Sequence, residues 1–213
     1  MSGPGSPPIL IATSNPGKAR EITGLLAPLR LDIVTLRDRG LARSGDVPEE
    51  TGATYEENAR GKGLHYAQRS GLVAIADDSG IEVDALDGKP GPLSARYGGP
   101  GLDDAARRRL LLETLAGMPD ERRAARYVAV AVIAAPDGRA QAFRGVCEGR
   151  ILRAARGTGG FGYDPVFFYP PFNATFAELP EERKNGVSHR GQAFRALAAF
   201  LGSGEGRRFL EGA

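Results

Sequence analysis

Two long apolar runs, from Ala125 to Ala135 and from Arg139 to Cys147, are joined by Pro136-Asp137-Gly138. Extended runs on either side of a turn tripeptide read as a long β-hairpin, and this is the strongest constraint on the fold. The segments before it add the other half of the architecture. Ile9-Leu10-Ile11-Ala12 is a short buried strand, and Lys18 to Leu29 places Ala19, Ile22, Leu25, Leu26 and Leu29 at helical spacing. Leu31 to Leu36 reads as a second strand. Thr54 to Arg69 reads as a helix whose N-cap Thr54 and third residue Glu57 form a capping box. Leu72 to Ala76 is a strand running into an Asp77-Asp78-Ser79-Gly80 turn, with Ile81 to Leu86 as the next. A Gly/Pro loop over 88–101, a helix from Asp103 to Leu115, a strand at Val166-Phe167-Phe168 and a last helix from Gly191 to Leu201 complete the pattern. Helices alternate with strands early and strands pair as a hairpin later, which predicts an α/β protein with a mixed sheet. Residues 9–201 read as one domain, 1–8 as a disordered tail without the apolar core of a signal peptide, and 202–213 as a fraying tail.

Composition removes several function classes. Charges of 28 basic against 26 acidic residues leave a net +2, which gives no basis for nucleic-acid binding. No apolar run approaches the ~20 residues of a membrane span. The single cysteine, Cys147, excludes an internal disulfide and fits a reducing, cytoplasmic setting. Of the 28 basic residues only Lys18, Lys62, Lys89 and Lys184 are lysine. A chain that so consistently uses Arg can keep Lys where a compact ammonium suits a site better than a planar fork.

Five segments can carry chemistry. Thr13-Ser14-Asn15-Pro16-Gly17-Lys18 ends a strand and opens a helix, so free amides, hydroxyls and an ammonium meet as in a phosphate cradle. The same residues would also suit a plain N-capped helix. The spacing is not that of a Walker A loop, and no G-x-G-x-x-G follows the strand. Asp77-Asp78 sets two adjacent carboxylates at a strand end, where a cation would relieve their repulsion; Mg²⁺ prefers carboxylates together with substrate phosphates. Glu49-Glu50 is a weaker acidic signal. Gly159 to Pro165 encloses Phe161 among glycines, so that backbone can approach a flat ligand while the ring stacks on it, or the ring can fold into the core. Lys184 to Arg190 gathers Lys184, His189 and Arg190 just before the last helix, an arrangement that without other context is more often a solvated helix start.

In order along the chain, Thr13 to Lys18, Glu49-Glu50-Thr51-Gly52, Glu57-Asn58-Ala59, Ala76 to Gly80, Ser94-Ala95-Arg96-Tyr97, Gly160 to Pro165 and Ser188-His189-Arg190-Gly191 resemble the inosine triphosphate pyrophosphatase family, which acts on non-standard purine nucleoside triphosphates. The resemblance implies an elongated α/β fold, a long mixed sheet with two lobes around a central cleft, and a homodimer. It implies hydrolysis of ITP, XTP and their deoxy forms to the monophosphate and pyrophosphate, with Mg²⁺. It assigns Thr13, Ser14, Asn15, Pro16, Gly17 and Lys18 to the triphosphate, Glu49 and Asp78 to the metal, and Asp78 also to the role of base. It adds Ser79 to the substrate contacts, gives the nucleoside to Phe161, Gly162, Tyr163 and Asp164, and turns Lys184, His189 and Arg190 to the base and neighbouring groups. Two other readings stand beside it: a related enzyme for modified pyrimidine nucleotides, and a nucleotide-binding module without chemistry.

Overall fold

A computed structural model describes residues 7–42, 48 and 50–212. In chain order the strands and α-helices are β1 (Ile9–Ile11), α1 (Pro16–Leu26), β2 (Ile33–Thr35), α2 (Tyr55–Ser70), β3 (Ala74–Val83), α3 (Asp104–Thr114), β4 (Ala124–Ala134), β5 (Ala140–Ile151), β6 (Phe167–Tyr169), β7 (Ala174–Thr175), α4 (Glu181–Val187), α5 (His189–Gly202) and α6 (Gly204–Glu211). The sheet has the order β2-β1-β3-β4-β5-β6-β7. It is parallel across β2, β1 and β3, with Leu10 opposite both Val34 and Ala74, and antiparallel across β5, β6 and β7. The α/β reading with a mixed sheet is therefore correct, and β4 and β5 form the hairpin around Pro136-Asp137-Gly138.

The chain divides into two compact units, and β3, β4 and β5 each contribute residues to both. The first comprises residues 1–78, 129–144 and 190–213. Its core joins Ile9, Ile11 and Ile75 to Ile22 and Leu26 of α1, Phe194 and Leu197 of α5, and Phe209 of α6. On the other face of the strands α2 lies very close. A Cβ on Gly63 would sit 3.2 Å from that of Ala134, so the small residues Gly63, Ala76 and Ala134 set the separation. The second unit comprises 79–128 and 145–189. There Ile81, Val83, Leu111, Leu115, Tyr127, Tyr163, Phe167 and Phe176 form a separate core.

Three local expectations are corrected. Asp77-Asp78-Ser79-Gly80 is not a turn between two strands but the middle of β3. Gly80 allows this because a Cβ there would strike the carbonyl of Gly91 and lie 2.5 Å from Ser94 Oγ, whose hydroxyl receives Ile81 N–H at 2.8 Å. Residues 203–211, expected to fray, form α6 with Ser203 as N-cap. Its Phe209 is buried and its Phe209 carbonyl accepts Nη1 of Arg139 at 3.2 Å. Lys184 lies not in a solvated helix start but in α4, where its side chain is buried. The expected tail over 1–8 falls outside the described residues except for Pro7 and Pro8.

Candidate active site

In the first unit the Thr13–Lys18 segment leads from β1 into α1. Asn15 is the N-cap: its Oδ1 accepts Lys18 N–H at 3.1 Å, its own N–H donates to Thr13 Oγ1 at 3.2 Å, and Pro16 occupies the first turn. A helix start of this kind offers amide groups and the positive end of the helix dipole to an anion. Ser14, Asn15 and Pro16 are exposed, whereas Gly17 and Lys18 are partly covered.

Because side chains alternate along a strand, Asp77 and Asp78 point to opposite faces of β3 and acquire opposite environments. Asp77 is fully buried. Its Oδ2 takes Arg190 Nη2 at 3.1 Å and Lys18 Nζ at 3.4 Å, while Arg190 Nη1 reaches Glu21 Oε2 at 2.5 Å. Burial opposes its ionisation, but Lys18, Arg190 and Lys62 together hold its carboxyl well below the usual carboxylate range. Asp78 receives Asn58 Nδ2 of α2 at 3.1 Å. Here burial dominates and pushes the carboxyl up, against the pull of Lys18 and Lys62. Lys62 donates to the Asp77 carbonyl at 3.1 Å and pairs with Glu50. Burial would lower its ammonium, yet Glu50 and the two aspartates raise it. Lys18 goes the other way, because its desolvation outweighs the attraction of Asp77.

Three cations thus act on Asp77, while burial holds the carboxyl of Asp78 beside it above its ordinary value. Glu49, expected as a metal ligand, lies outside the described residues. Among the described residues no group of three or more His, Cys, Asp or Glu side chains could hold a metal. Mg²⁺ needs fewer, because it is commonly held by one or two carboxylates with substrate phosphates. Asp78, on the face of β3 that meets Asn58, offers one such hard oxygen donor, which fits an ion whose remaining positions go to substrate phosphates and water.

In the second unit Asp164 organises the Gly-rich loop. Its Oδ2 accepts Phe161 N–H at 2.9 Å and Lys184 Nζ at 2.6 Å, and its Oδ1 accepts the Tyr127 hydroxyl at 3.2 Å. The left-handed Gly160, at φ 67°, passes so close that a Cβ would overlap Asp164 Oδ2. Phe161 stays half-buried, with Lys184 Nζ 5.1 Å from its ring centre. His189 stacks on Tyr127 with ring centres 4.4 Å apart and 7° between planes. Tyr163 turns into the core, donates to the Ser94 carbonyl at 2.8 Å, and burial raises its phenol far above the ordinary value. Ser79 follows Asp78 on β3 and is half-buried.

Thr13 to Lys18, Asp77 and Asp78 thus belong to one set, and Phe161, Gly162, Asp164, Lys184 and His189 to another. Arg190, expected at the base, has its guanidinium on Glu21 and Asp77. Asn58 and Tyr127 were not singled out by sequence as site residues. Asn58 was visible only inside Glu57-Asn58-Ala59, and Tyr127 is masked by its apolar strand.

Known proteins resemble this chain over most of its length. The Ham1 family model matches residues 9–200. A dITP/XTP pyrophosphatase of Thermus thermophilus is 51% identical over 189 residues, covering 89% of each chain. One from Shigella flexneri is 48% identical, covering 92% of this chain and 98% of its own. The solved structure of a HAM1 protein from Coxiella burnetii superposes with a TM-score of 0.81 at 38% identity, covering 91% of this chain and 97% of that one. Motif order, fold and whole-length similarity agree: the chain belongs to the Ham1 family.

Proposed function

We propose that the protein hydrolyses non-standard purine nucleoside triphosphates (ITP, dITP, XTP and dXTP) to the nucleoside monophosphate and pyrophosphate. The contrast between Asp77 and Asp78 carries this reading. One carboxylate is locked between cations, and its neighbour is desolvated and more basic than usual. Thr13 to Lys18 and Lys62 meet the phosphates, where charge must be neutralised. Asp78 orients the attacking water and accepts its proton, a role favoured by a carboxyl tuned towards the operating pH. Mg²⁺, held by Asp78 and Glu49, supplies further neutralisation of the phosphate oxygens when bound.

The base end falls to Phe161, Gly162, Asp164, Lys184 and His189. Hypoxanthine and xanthine present an acceptor at position 6 where adenine presents a donor, and the Lys184 ammonium, bonded to Asp164, carries donors and no acceptor. Donors directed at position 6 leave the adenine amino group unmatched, which discriminates strongly. Arg190 serves this chemistry by holding Asp77. The single cysteine supports a cytoplasmic setting, and the family resemblance supports a homodimer, which light scattering tests.

Incubation with ITP, XTP, ATP or GTP and Mg²⁺, with pyrophosphate and monophosphate quantified, tests the substrate class. Inosine and xanthosine monophosphates should form at least tenfold faster than AMP or GMP. Equal rates, or release of orthophosphate alone, overturn the reading.

A further inference from the structure

Gly162 lies at the turn of the Phe161–Asp164 loop with a left-handed φ of 58°. Both of its backbone polar groups are held by one helix that sequence reading left outside the site. Gly162 N–H donates to Asp104 Oδ2 at 2.9 Å, and its carbonyl accepts Nη1 of Arg108 at 2.6 Å. Asp104 and Arg108 are four residues apart and so share a face of α3, one turn above the other. The N-cap of α3 is a different residue, Asp103, whose Oδ1 takes Ala106 N–H at 2.7 Å. Neither Asp104 nor Arg108 is therefore required for starting the helix. Both bonds are charge-assisted and short, a stronger restraint than neutral loop contacts provide.

The next residue upstream is fixed from the opposite side, where Asp164 receives Phe161 N–H and also Lys184. The peptide units on both sides of Gly162 are thus pinned, by α3 through its own two groups and by Asp164 through its neighbour. The half-buried ring of Phe161 has only its side-chain torsions left. A loop with two glycines at positive φ needs such a restraint, because glycine carries the largest backbone freedom to lose.

We propose that Asp104 and Arg108 are positioning residues for base recognition: they clamp the Gly162 peptide and so preset Phe161 for the purine before the nucleotide arrives. The inference rests on the base-end reading given above. Preorganisation of this kind lowers the ordering cost at binding, so loss of the clamp acts on KM rather than on the chemical step.

The chain contains no tryptophan. Phe161→Trp therefore installs a single fluorescent reporter whose behaviour is read without any nucleotide. In that background Arg108→Ala should raise the acrylamide quenching constant about twofold or more and lower the anisotropy, and Arg108→Lys should restore part of each. In the unmodified chain Arg108→Ala should raise KM for ITP about tenfold with kcat within twofold. Asp104→Asn, which keeps an acceptor oxygen for Gly162 N–H, should stay close to wild type, whereas Asp104→Ala should follow Arg108→Ala. Circular dichroism of each variant checks that α3 persists. A looser reporter with unchanged KM overturns the proposal, as does a raised KM with an unmoved reporter, which would place Arg108 on the substrate itself. If the unmodified protein releases no pyrophosphate from any purine triphosphate, the functional reading fails while the reporter still shows whether the clamp exists.

Discussion

Arg190→Met tests the electrostatic argument most directly. Arg190 is buried between Glu21 and Asp77, bonded to them at 2.5 and 3.1–3.2 Å. Methionine fills similar volume but leaves both carboxylates without their shared cation. Removing one member of a buried ion cluster costs about 3–5 kcal/mol. Asp77 keeps Lys18 at 3.4 Å, so the expected loss sits near the lower end, about 3 kcal/mol. For a chain of this size that corresponds to a fall of roughly 6–12 °C in Tm. The effect also has a pH signature. Asp77 is held well below its ordinary value of 3.8 in the folded state. A lowered carboxyl contributes stability that is present above that value and lost as pH falls through the folded-state pKa. Without Arg190 that contribution shrinks, and desolvation favours protonated carboxyls. The gap between wild type and variant should therefore be full at pH 7.5 and narrow towards about pH 3, below the ordinary carboxyl value of 3.8. Urea unfolding followed by circular dichroism in EDTA at both values measures it. Glu21→Gln combined with Arg190→Met should recover about 1 kcal/mol or more, because one stranded charge disappears. A loss under about 1 kcal/mol at pH 7.5, or a gap that widens in acid, refutes the reasoning.

Further expectations concern other parts of the molecule. Asp78→Asn should lower pyrophosphate release by about 10²–10⁴ while equilibrium dialysis still shows nucleotide binding, the range typical of a general base; turnover near wild type removes Asp78 from that role. Phe209→Ala should cost about 3 kcal/mol in denaturant unfolding, since it empties a buried position in the first unit; a neutral result would mean that α6 does not seal that core. Burial and the nearby Glu148 push the Cys147 thiol up to about 12. Native protein at pH 8 should therefore react with a thiol-disulfide reagent at least tenfold more slowly than urea-unfolded protein, measured by absorbance.

What could be read from sequence was local chemistry. Thr54 and Glu57 form the capping box their spacing promises, with Glu57 N–H to Thr54 Oγ1 at 3.1 Å. The hairpin follows in the same way from Pro136-Asp137-Gly138. Segments whose conformation depends on distant atoms were harder to read. Asp77-Asp78-Ser79-Gly80 has the composition of a turn, yet the approach of Gly91 and Ser94 keeps it in the strand. Gly204 and Gly206 suggest fraying, yet Gly206 lets α6 close against Phe200, where any side chain would strike the Phe200 carbonyl. The site divides likewise. Thr13 to Lys18 and the two aspartates announce themselves by type, and Lys184 by the rarity of lysine. No short pattern reveals that Arg190 meets Glu21, 169 positions away, or that an α3 carboxylate reaches Gly162.

The uneven use of lysine has a practical consequence. Lys18, Lys62 and Lys184 are each drawn to a carboxylate, of Asp77, Glu50 and Asp164, and are partly or wholly covered, while Lys89 stands exposed in its loop. The protein thus presents its outer positive charge almost wholly as guanidinium, which amine-directed reagents ignore. A single ε-amino handle is left for tethering or labelling, on the loop between β3 and α3.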